Sequence, residues 1–223
     1  MHADLSRSVE DYLKAIYHLT ERGEAASTNS IAEQLGIAAP SVSGMIKRLA
    51  EQGLLEHERY KGVSLTAQGR REALRMLRRH RLIEAYLVER LGYTWDTVHD
   101  EAERLEHAVS DDLVDRLAAA LGHPDFDPHG DPIPSADGVM TEQLTRALAE
   151  VPTGETVTIV RVDTDEGEQL RWFADNGLVP GAVVSVVEHQ PFSGPVIIKR
   201  GRNRQVVGRE IAGHLLCVSG AQE

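Results

Sequence analysis

Residues 27–55 read STNSIAEQLGIAAPSVSGMIKRLAEQGLL and contain two short helical patterns separated by a glycine. Ser30 is a plausible N-cap for the segment IAEQL, and Gly36 ends that segment as a C-cap glycine does. Pro40 suits the first turn of a second helix, which stops at Gly53. Two short helices joined at a glycine turn are typical of a helix-turn-helix, although an ordinary helical hairpin gives the same pattern.

The residues that follow favour the helix-turn-helix. LLEHERYKGVSLTAQGR, residues 54–70, alternates in polarity around a tight Lys61-Gly62 turn, which predicts a two-stranded wing before a new helix. A helix-turn-helix with a wing is a winged helix, a domain that places its second helix in the major groove of duplex DNA. The candidate DNA contacts are Pro40, Ser41, Ser43, Lys47 and Arg48 in that helix, with Arg59 and Lys61 in the wing.

Composition and charge narrow the class of protein. The chain has 223 residues, of which 41% are hydrophobic, enough for two or three small domains. The single Cys217 excludes an intramolecular disulfide framework, and neither a membrane span nor a signal peptide is evident, so we expect a cytoplasmic protein. The net charge of −11 resides in residues 81–150, which hold 5 basic and 16 acidic residues, whereas residues 1–80 hold 12 and 10. The acidic middle segment suits divalent cations, and the N-terminal segment remains suited to DNA.

Two helical patterns in the middle of the chain carry potential metal ligands. A long helix is predicted over residues 67–91, and residues 95–122 form a second amphipathic helical stretch. In HDEAERLEH, residues 99–107, spacings of three and four place His99, Glu103, Glu106 and His107 on one face. The alternative is a solvated acidic face. His80 and Glu84 are also four residues apart, a spacing that by itself usually marks a surface ion pair. Nitrogen and oxygen donors without thiolate favour Mn²⁺, Fe²⁺, Co²⁺ or Zn²⁺.

The C-terminal part of the chain has the pattern of a small barrel. Residues 123–138, HPDFDPHGDPIPSADG, predict a loop, and residues 142–150 predict a short helix. Five short strand patterns follow from Glu155 onward, interrupted by one helical turn that ends at Gly177. The predicted fold class is therefore α+β, with helices first and a β-barrel last.

Five segments in order resemble the DtxR family of metal-dependent repressors: EDYLKAIYHL, the winged helix, RRHRLIEAYL, VHDEAERLEHAVSDDL and DPHGDPIP. The resemblance implies a homodimer that binds a palindromic operator when loaded with divalent metal, and an SH3-like (FeoA-like) barrel at the C-terminus. It divides the chain into a DNA-binding domain (1–73), a helical metal-binding and dimerisation domain (74–140), a linker (141–152) and the barrel (153–223).

The resemblance also implies two sets of metal ligands. The primary set matches Asp11, Glu103, Glu106 and His107. Iron-responsive members have Met and Cys where this chain has Asp11 and Glu103, and this exchange of sulfur for carboxylate suits Mn²⁺. The ancillary set matches His80, Glu84 and His99, joined by Glu166 and Gln169 from the barrel.

Two departures from the family pattern affect this interpretation. Lys14 stands where short manganese repressors carry a second acidic residue, which argues against a binuclear cluster of their kind. Gly44 replaces a Gln of the iron-type recognition helix, so we expect a different operator preference.

The sequence thus predicts a manganese-responsive transcriptional repressor of metal homeostasis, with Co²⁺ or Zn²⁺ able to substitute. The alternatives are an iron-responsive member of the same family and a winged-helix regulator that answers to a non-metal ligand. A di-metal hydrolase is disfavoured because HExxH, a nucleophile elbow and a phosphate loop are all missing from the sequence. We expect neither a membrane nor a small-molecule substrate as a partner. The remaining histidines are interpreted as surface or core residues: His2, His18, His57, His123, His129, His189 and His214.

Overall fold

The structure is a computed structural model that describes residues 5–58, 62–141 and 143–220. Arg59 and Lys61, the predicted wing contacts, lie outside the described residues. The chain divides into two compact units, Met1–His80 with Pro134–Met140, and Arg81–Ile133 with Thr141–Glu223. The predicted α+β class is confirmed. Within the described part of the chain, no helix is long and apolar enough to cross a membrane.

The first unit is a winged helix-turn-helix. Its elements are α1 (Arg7–Glu21), α2 (Thr28–Leu35), α3 (Ala39–Glu51), β1 (Leu55–Glu58), β2 (Gly62–Leu65) and the first part of α4 (Ala67–Leu91). β1 and β2 pair as an antiparallel hairpin, the predicted wing. Apolar residues at helical spacing on α1 and α3 meet in one core, which contains Leu13, Ile16, Val42 and Leu49.

The turn between α2 and α3 forms largely as predicted. Gly36 adopts the left-handed conformation, with φ of 63°, at the C-cap of α2. The cap at the other end differs from the prediction, because α2 begins three residues earlier and its N-cap is Ser27 rather than Ser30. The Ser27 hydroxyl accepts a hydrogen bond from the Ser30 amide at 3.1 Å. Ser30 is itself a helical residue. Ser27 and Ser30 are only three residues apart and serine is a common N-cap, so the sequence pattern does not distinguish between them.

The second unit begins with helices. It contains the remainder of α4, α5 (Val98–Leu105) and α6 (Asp111–Ala120). The helical stretch predicted over residues 95–122 is therefore interrupted between α5 and α6. Glu106 is the C-cap of α5, and the Ser110 hydroxyl caps α6 by accepting from the Leu113 amide at 3.3 Å. The interruption leaves His107 beyond the helix on which it was predicted.

The rest of the second unit is a small barrel. Its elements are β3 (Arg146–Ala147), β4 (Thr156–Val162), α7 (Gly167–Asp175), β5 (Val183–His189), β6 (Val196–Arg200), β7 (Asn203–Val207), α8 (Arg209–Gly213) and β8 (Leu215–Ser219). The strands pair in the order β3-β8-β4-β5-β6-β7, and every pairing is antiparallel. Alternate residues of β4, β5 and β6 fill a core with Phe173 and Leu170 of α7.

The short helix predicted over residues 142–150 is wrong. The described residues there form β3 and a single 3₁₀ turn at Leu148–Glu150. Leu148 is fully buried in the barrel core, and Ala147 pairs with Leu216 of β8. Pairing with the last strand of the barrel therefore overrides the helical propensity of EQLTRALAE.

Helices and barrel contact each other through the loop at residues 125–133. Trp95 packs against the barrel core, and the His129 carbonyl accepts a hydrogen bond from the Val162 amide of β4 at 2.9 Å. Gly130 has φ of 87°, and a Cβ there would lie 1.9 Å from the Val160 carbonyl oxygen. Only glycine allows this approach, which holds the loop directly on β4.

Candidate metal centre

Glu84 is the centre of a buried polar cluster in the second unit. It lies on α4 and is only 2% exposed. Its Oε1 is 3.2 Å from His99 Nδ1, and its Oε2 is 3.7 Å from His129 Nδ1. Ligand atoms of Glu84, Asp127 and His129 all lie within 4.8 Å of one another, and all three residues are buried. Residues from α4, α5 and the loop thus converge on one carboxylate.

The tautomer of His129 follows from its two neighbours. Its Nε2 lies 2.7 Å from the Trp95 carbonyl oxygen, which can only accept, so Nε2 carries the proton. The ring also stacks on the Trp95 indole, with centroids 5.7 Å apart. In the neutral ring, the lone pair on Nδ1 therefore faces Glu84. A histidine that donates one N–H to a carbonyl and turns its other nitrogen to a carboxylate cluster has the arrangement of a metal ligand.

Asp127 shapes the loop and the charge of the cluster. One of its carboxylate oxygens accepts from the amides of His129 and Asp131, at 2.8 and 2.9 Å. The Arg81 guanidinium lies 3.7 Å from Asp127 and 3.2 Å from Asp131, and it donates to the Pro132 carbonyl at 2.6 Å. Arg81 thus offsets part of the negative charge, and its contacts hold the loop against α4.

Burial and the neighbouring carboxylates oppose each other in setting the pKa of His129. Burial lowers it, but the hydrogen bond and charge of Glu84, with the charge of Asp127, raise the pKa to about 9. Burial and the charges of Asp131 and Glu84 raise the pKa of Asp127 to about 7. Near neutral pH, the metal-free cluster therefore holds a proton on the His129 ring. A cation that binds to this cluster must displace that proton.

His99 extends the cluster toward a cavity. Its Nε2 is 3.8 Å from Glu103 Oε1 on the next turn of α5. A cavity of about 460 Å³ is lined by His99 and Asp100 on the helical side and by Asp165 and Gly167 on the barrel side. An ion pair between Asp96 and Arg171, at 3.0 Å, lies in the same wall.

The two predicted barrel ligands differ in their surroundings. Glu166 is exposed, immediately before α7. Gln169 is half-buried, and its Oε1 is shielded from solvent with no hydrogen-bond partner among the described residues. A buried amide oxygen in this state is available to a hard cation.

The primary set is divided between the two units. Glu106 is fully buried in the second unit, with its Oε1 3.3 Å from His107 Nε2. Asp11 is a half-buried residue of α1 in the first unit. His80 is a buried residue of α4, one turn before Glu84. All of these donors are nitrogen or oxygen, so the residues present fit a hard or borderline divalent ion.

The predicted recognition helix presents its polar side to solvent. The five contacts predicted on α3 are all exposed, whereas Val42, Ile46 and Leu49 face the core. Lys47 pairs with exposed Glu51, at 4.0 Å. The five are Pro40, Ser41, Ser43, Lys47 and Arg48.

Asp127 and His129 were not among the predicted ligands. From the sequence alone, DPHGDPIP contributes only to the family resemblance, and His129 is predicted to be an ordinary surface or core histidine. The sequence signal that could have identified these two ligands is an acidic residue two positions before a histidine, next to a glycine in an acidic segment. Their relation to Glu84, more than forty residues earlier, depends on the fold.

Comparison with protein-family models covers most of the chain. Residues 4–63 match the iron dependent repressor N-terminal DNA binding domain, and residues 66–135 match the iron dependent repressor metal binding and dimerisation domain. Residues 146–218 match the FeoA domain. The iron-dependent repressor IdeR of Mycobacterium leprae is 34% identical over 221 residues, covering 94% of this chain and 96% of that protein. The chain belongs to the DtxR family of metal-dependent repressors.

Other members of the DtxR family are similar over comparable lengths. The diphtheria toxin repressor of Corynebacterium diphtheriae is 32% identical, covering 83% of this chain and 86% of that protein. A solved manganese-dependent transcriptional repressor in complex with manganese has a TM-score of 0.87 and 42% identity, covering 95% of this chain and 100% of its own. The manganese regulator SloR has a TM-score of 0.78 and 35% identity, covering 95% and 98%. This is a family of DNA-binding, dimerising transcriptional repressors and not of enzymes.

Proposed function

We propose that this chain is a manganese-responsive repressor that binds a palindromic operator as a homodimer. The observation that carries this proposal is the donor set, in which Asp11 and Glu103 supply carboxylates where iron-type relatives supply sulfur. Carboxylate and imidazole donors suit Mn²⁺, whereas thioether and thiolate suit softer ions. Similarity to two solved manganese regulators, at 42% and 35% identity, supports the same metal.

The primary ligands of this proposal are Asp11, Glu103, Glu106 and His107. A divalent ion held by all four would join α1 of the DNA-binding unit to the end of α5. Asp11 then orients the winged helix, while buried Glu106 and its neighbour His107 fix the other half of the site. Metal that favours the DNA-competent pose must strengthen DNA binding, and DNA must tighten metal by the same factor.

A second metal site is proposed around Glu84. Buried Glu84, Asp127 and His129 supply it together with half-buried His99, and His80, Glu166 and Gln169 complete the ancillary set. The distances of 3.2 and 3.7 Å from Glu84 to the two imidazoles support this site, as does the unpartnered Gln169 oxygen. Its role is to attach the barrel to the helical segment through His129 and α7.

The test compares the two metals anaerobically. Apo-protein is titrated with Mn²⁺ and with Fe²⁺ by calorimetry, and fluorescence anisotropy then follows binding to DNA from its own upstream region. Mn²⁺ should switch on DNA binding at the lower free concentration. The double variant Asp11→Met/Glu103→Cys should shift that preference toward Fe²⁺. Strong DNA binding by metal-free protein would contradict the proposal.

Iron is the second candidate signal. Relatives at 34–35% identity are named iron-dependent repressors, and the matched family models carry the same description. If Fe²⁺ activates the unmodified chain at lower concentration than Mn²⁺, this candidate replaces manganese. A Glu106→Ala protein that still represses with metal would contradict the ligand assignment for both metals.

A further inference from the structure

The β6–β7 hairpin of the barrel is a strongly basic surface on an acidic protein. Residues 199–204 read KRGRNR, so four of six residues are cationic. Residues 189–209 contain five Lys and Arg and no Asp or Glu, in a chain whose net charge is −11. Four of the seven basic residues of 151–223 lie in the β6–β7 hairpin, and a fifth, Arg209, begins α8 directly after it. The positive charge of this part of the chain is therefore concentrated at one hairpin.

The register of the hairpin brings like charges together. Lys199 of β6 lies directly opposite Arg204 of β7, and Arg200 lies opposite Asn203. Directly opposed like charges destabilise a strand pair, because their Cβ atoms are only about 5 Å apart. Lys199 and Arg204 share the outer face, because Ile198 and Val207 point into the core and side chains alternate between the two faces along each strand. An anionic ligand on this face would relieve the repulsion between Lys199 and Arg204.

Three other arginines of the barrel are paired with carboxylates. Arg146 pairs with Glu155, Arg161 with Asp163, and Arg171 with Asp96. In the described part of the chain, no ion pair joins an acidic group to Lys199, Arg200, Arg202 or Arg204, and all four are exposed. Four exposed cations therefore remain for a ligand outside the barrel.

Protection of an exposed sheet edge is the competing explanation. β7 ends the strand order, and charged residues on an edge strand discourage pairing with another chain. That role accounts for Arg204. It does not account for Lys199 and Arg200, which lie on the interior strand β6, or for Arg202 in the turn.

We propose that the β6–β7 hairpin binds the phosphate backbone of duplex DNA, as a second contact separate from the winged helix. Arg and Lys without a base-reading element contact phosphates and add affinity that is independent of sequence. The chain belongs to a family of DNA-binding repressors, so duplex DNA is the polyanion to which members of this family bind. The hairpin would strengthen binding to operator and to flanking duplex alike.

The experiment measures how DNA binding depends on salt. Metal-loaded full-length protein is titrated with operator-containing duplex and with an unrelated duplex of equal length, from low to high salt. The slope of log K against log [salt] is negative, and its absolute value is called the slope below. Each lost phosphate contact should lower this value by about 0.9. Lys199→Gln/Arg204→Gln should therefore lower the slope by about 1.8 per chain, and should weaken both duplexes similarly. Lys199→Arg/Arg204→Lys should keep the parental slope.

Controls separate this proposal from a loss of net charge or of fold. Arg90→Gln/Arg116→Gln removes the same charge from exposed helical positions and should keep the parental slope. Arg202 lies in the turn, away from the strand pairs, so the variant Arg202→Gln tests the hairpin without disturbing the sheet edge. It should lower the slope by about 0.9.

The outcomes distinguish this inference from the proposed function. The hairpin proposal is overturned if the hairpin variants keep the parental slope while the parent binds its operator with metal. In that case, an acidic protein surface is the partner that fits the positive charge of the hairpin. If the parent shows no metal-dependent binding, the proposed function fails. Slopes that fall only in the hairpin variants support the second DNA contact.

Discussion

Gly130 shows how one residue determines the position of a whole loop. Its φ is 87°, and a Cβ there would stand 1.9 Å from the Val160 carbonyl oxygen. Gly130→Ala must therefore move the loop off β4. We expect a loss of more than about 2 kcal/mol in the free energy of unfolding, measured by urea denaturation. Gly122→Ala is the matched control, because φ is 75° there and nothing lies within 4 Å. A cost of about 1–2 kcal/mol is expected for the control. Equal losses for the two variants would refute the close contact.

His129 should make the metal-free protein sensitive to alkali. Its pKa is about 9 in the folded protein and about 6.5 when unfolded. Since folding raises this pKa, the protonated ring adds stability that is fully present below pH 6.5 and is lost as the pH rises through 9. The melting temperature of chelated protein should therefore fall across that range. His129→Asn should flatten the decline, whereas His123→Asn, at an exposed position where φ is 58°, should retain it. A parental decline in the His129→Asn variant would show that another group is responsible.

At the scale of elements, Arg81 ties α4 to the loop at residues 125–133. It is buried beside Asp127 and Asp131. Arg81→Met leaves the buried carboxylate of Asp127 without its cation, although Asp131 keeps its ion pair with Arg161, at 3.6 Å. The change should cost about 3–5 kcal/mol in the free energy of unfolding. Arg116→Met removes an exposed ion pair with Asp112 and should cost less than about 1 kcal/mol. Chemical denaturation of the two variants checks both values, and similar losses would rule out a structural role for the buried pair.

Elements formed by local contacts were predicted well from the sequence. The winged helix, α4, and the five main barrel strands follow from short-range periodicity, glycine caps and turns. The errors arise where distant residues decide the structure. Pairing between β3 and β8 converts a predicted helix into a strand, and the break at Glu106 shortens a predicted helix. Asp127 and His129 were missed for the same reason, because only the fold carries them to Glu84.

At the scale of the whole molecule, the proposed homodimer would carry two DNA-binding units and would therefore impose a spacing on the proposed palindromic operator. Both recognition helices can enter the major groove only if the half-sites are about one duplex turn apart, or a multiple of it. Insertion of five base pairs between half-sites rotates one by about half a turn and should reduce affinity toward that of a single half-site. Insertion of ten should restore much of it. Anisotropy titration of the three duplexes provides the measurement, and equal affinity for all three would contradict a rigid dimer.

The strand order of the barrel also bears on how the chain folds during synthesis. β8 is translated after the other described strands of this sheet, yet it lies inside the sheet, between β3 and β4. During synthesis, β3 and β4 therefore cannot pair with β8 until some sixty more residues have been translated. The contacts of the winged helix are local, so that domain can fold as it emerges from the ribosome. A ribosome that stalls before Leu215 releases a chain with a completed DNA-reading unit and an open sheet. In such a chain, β3 and the outer edge of β4 lack the partner strand β8, and unpaired strand edges are prone to aggregation.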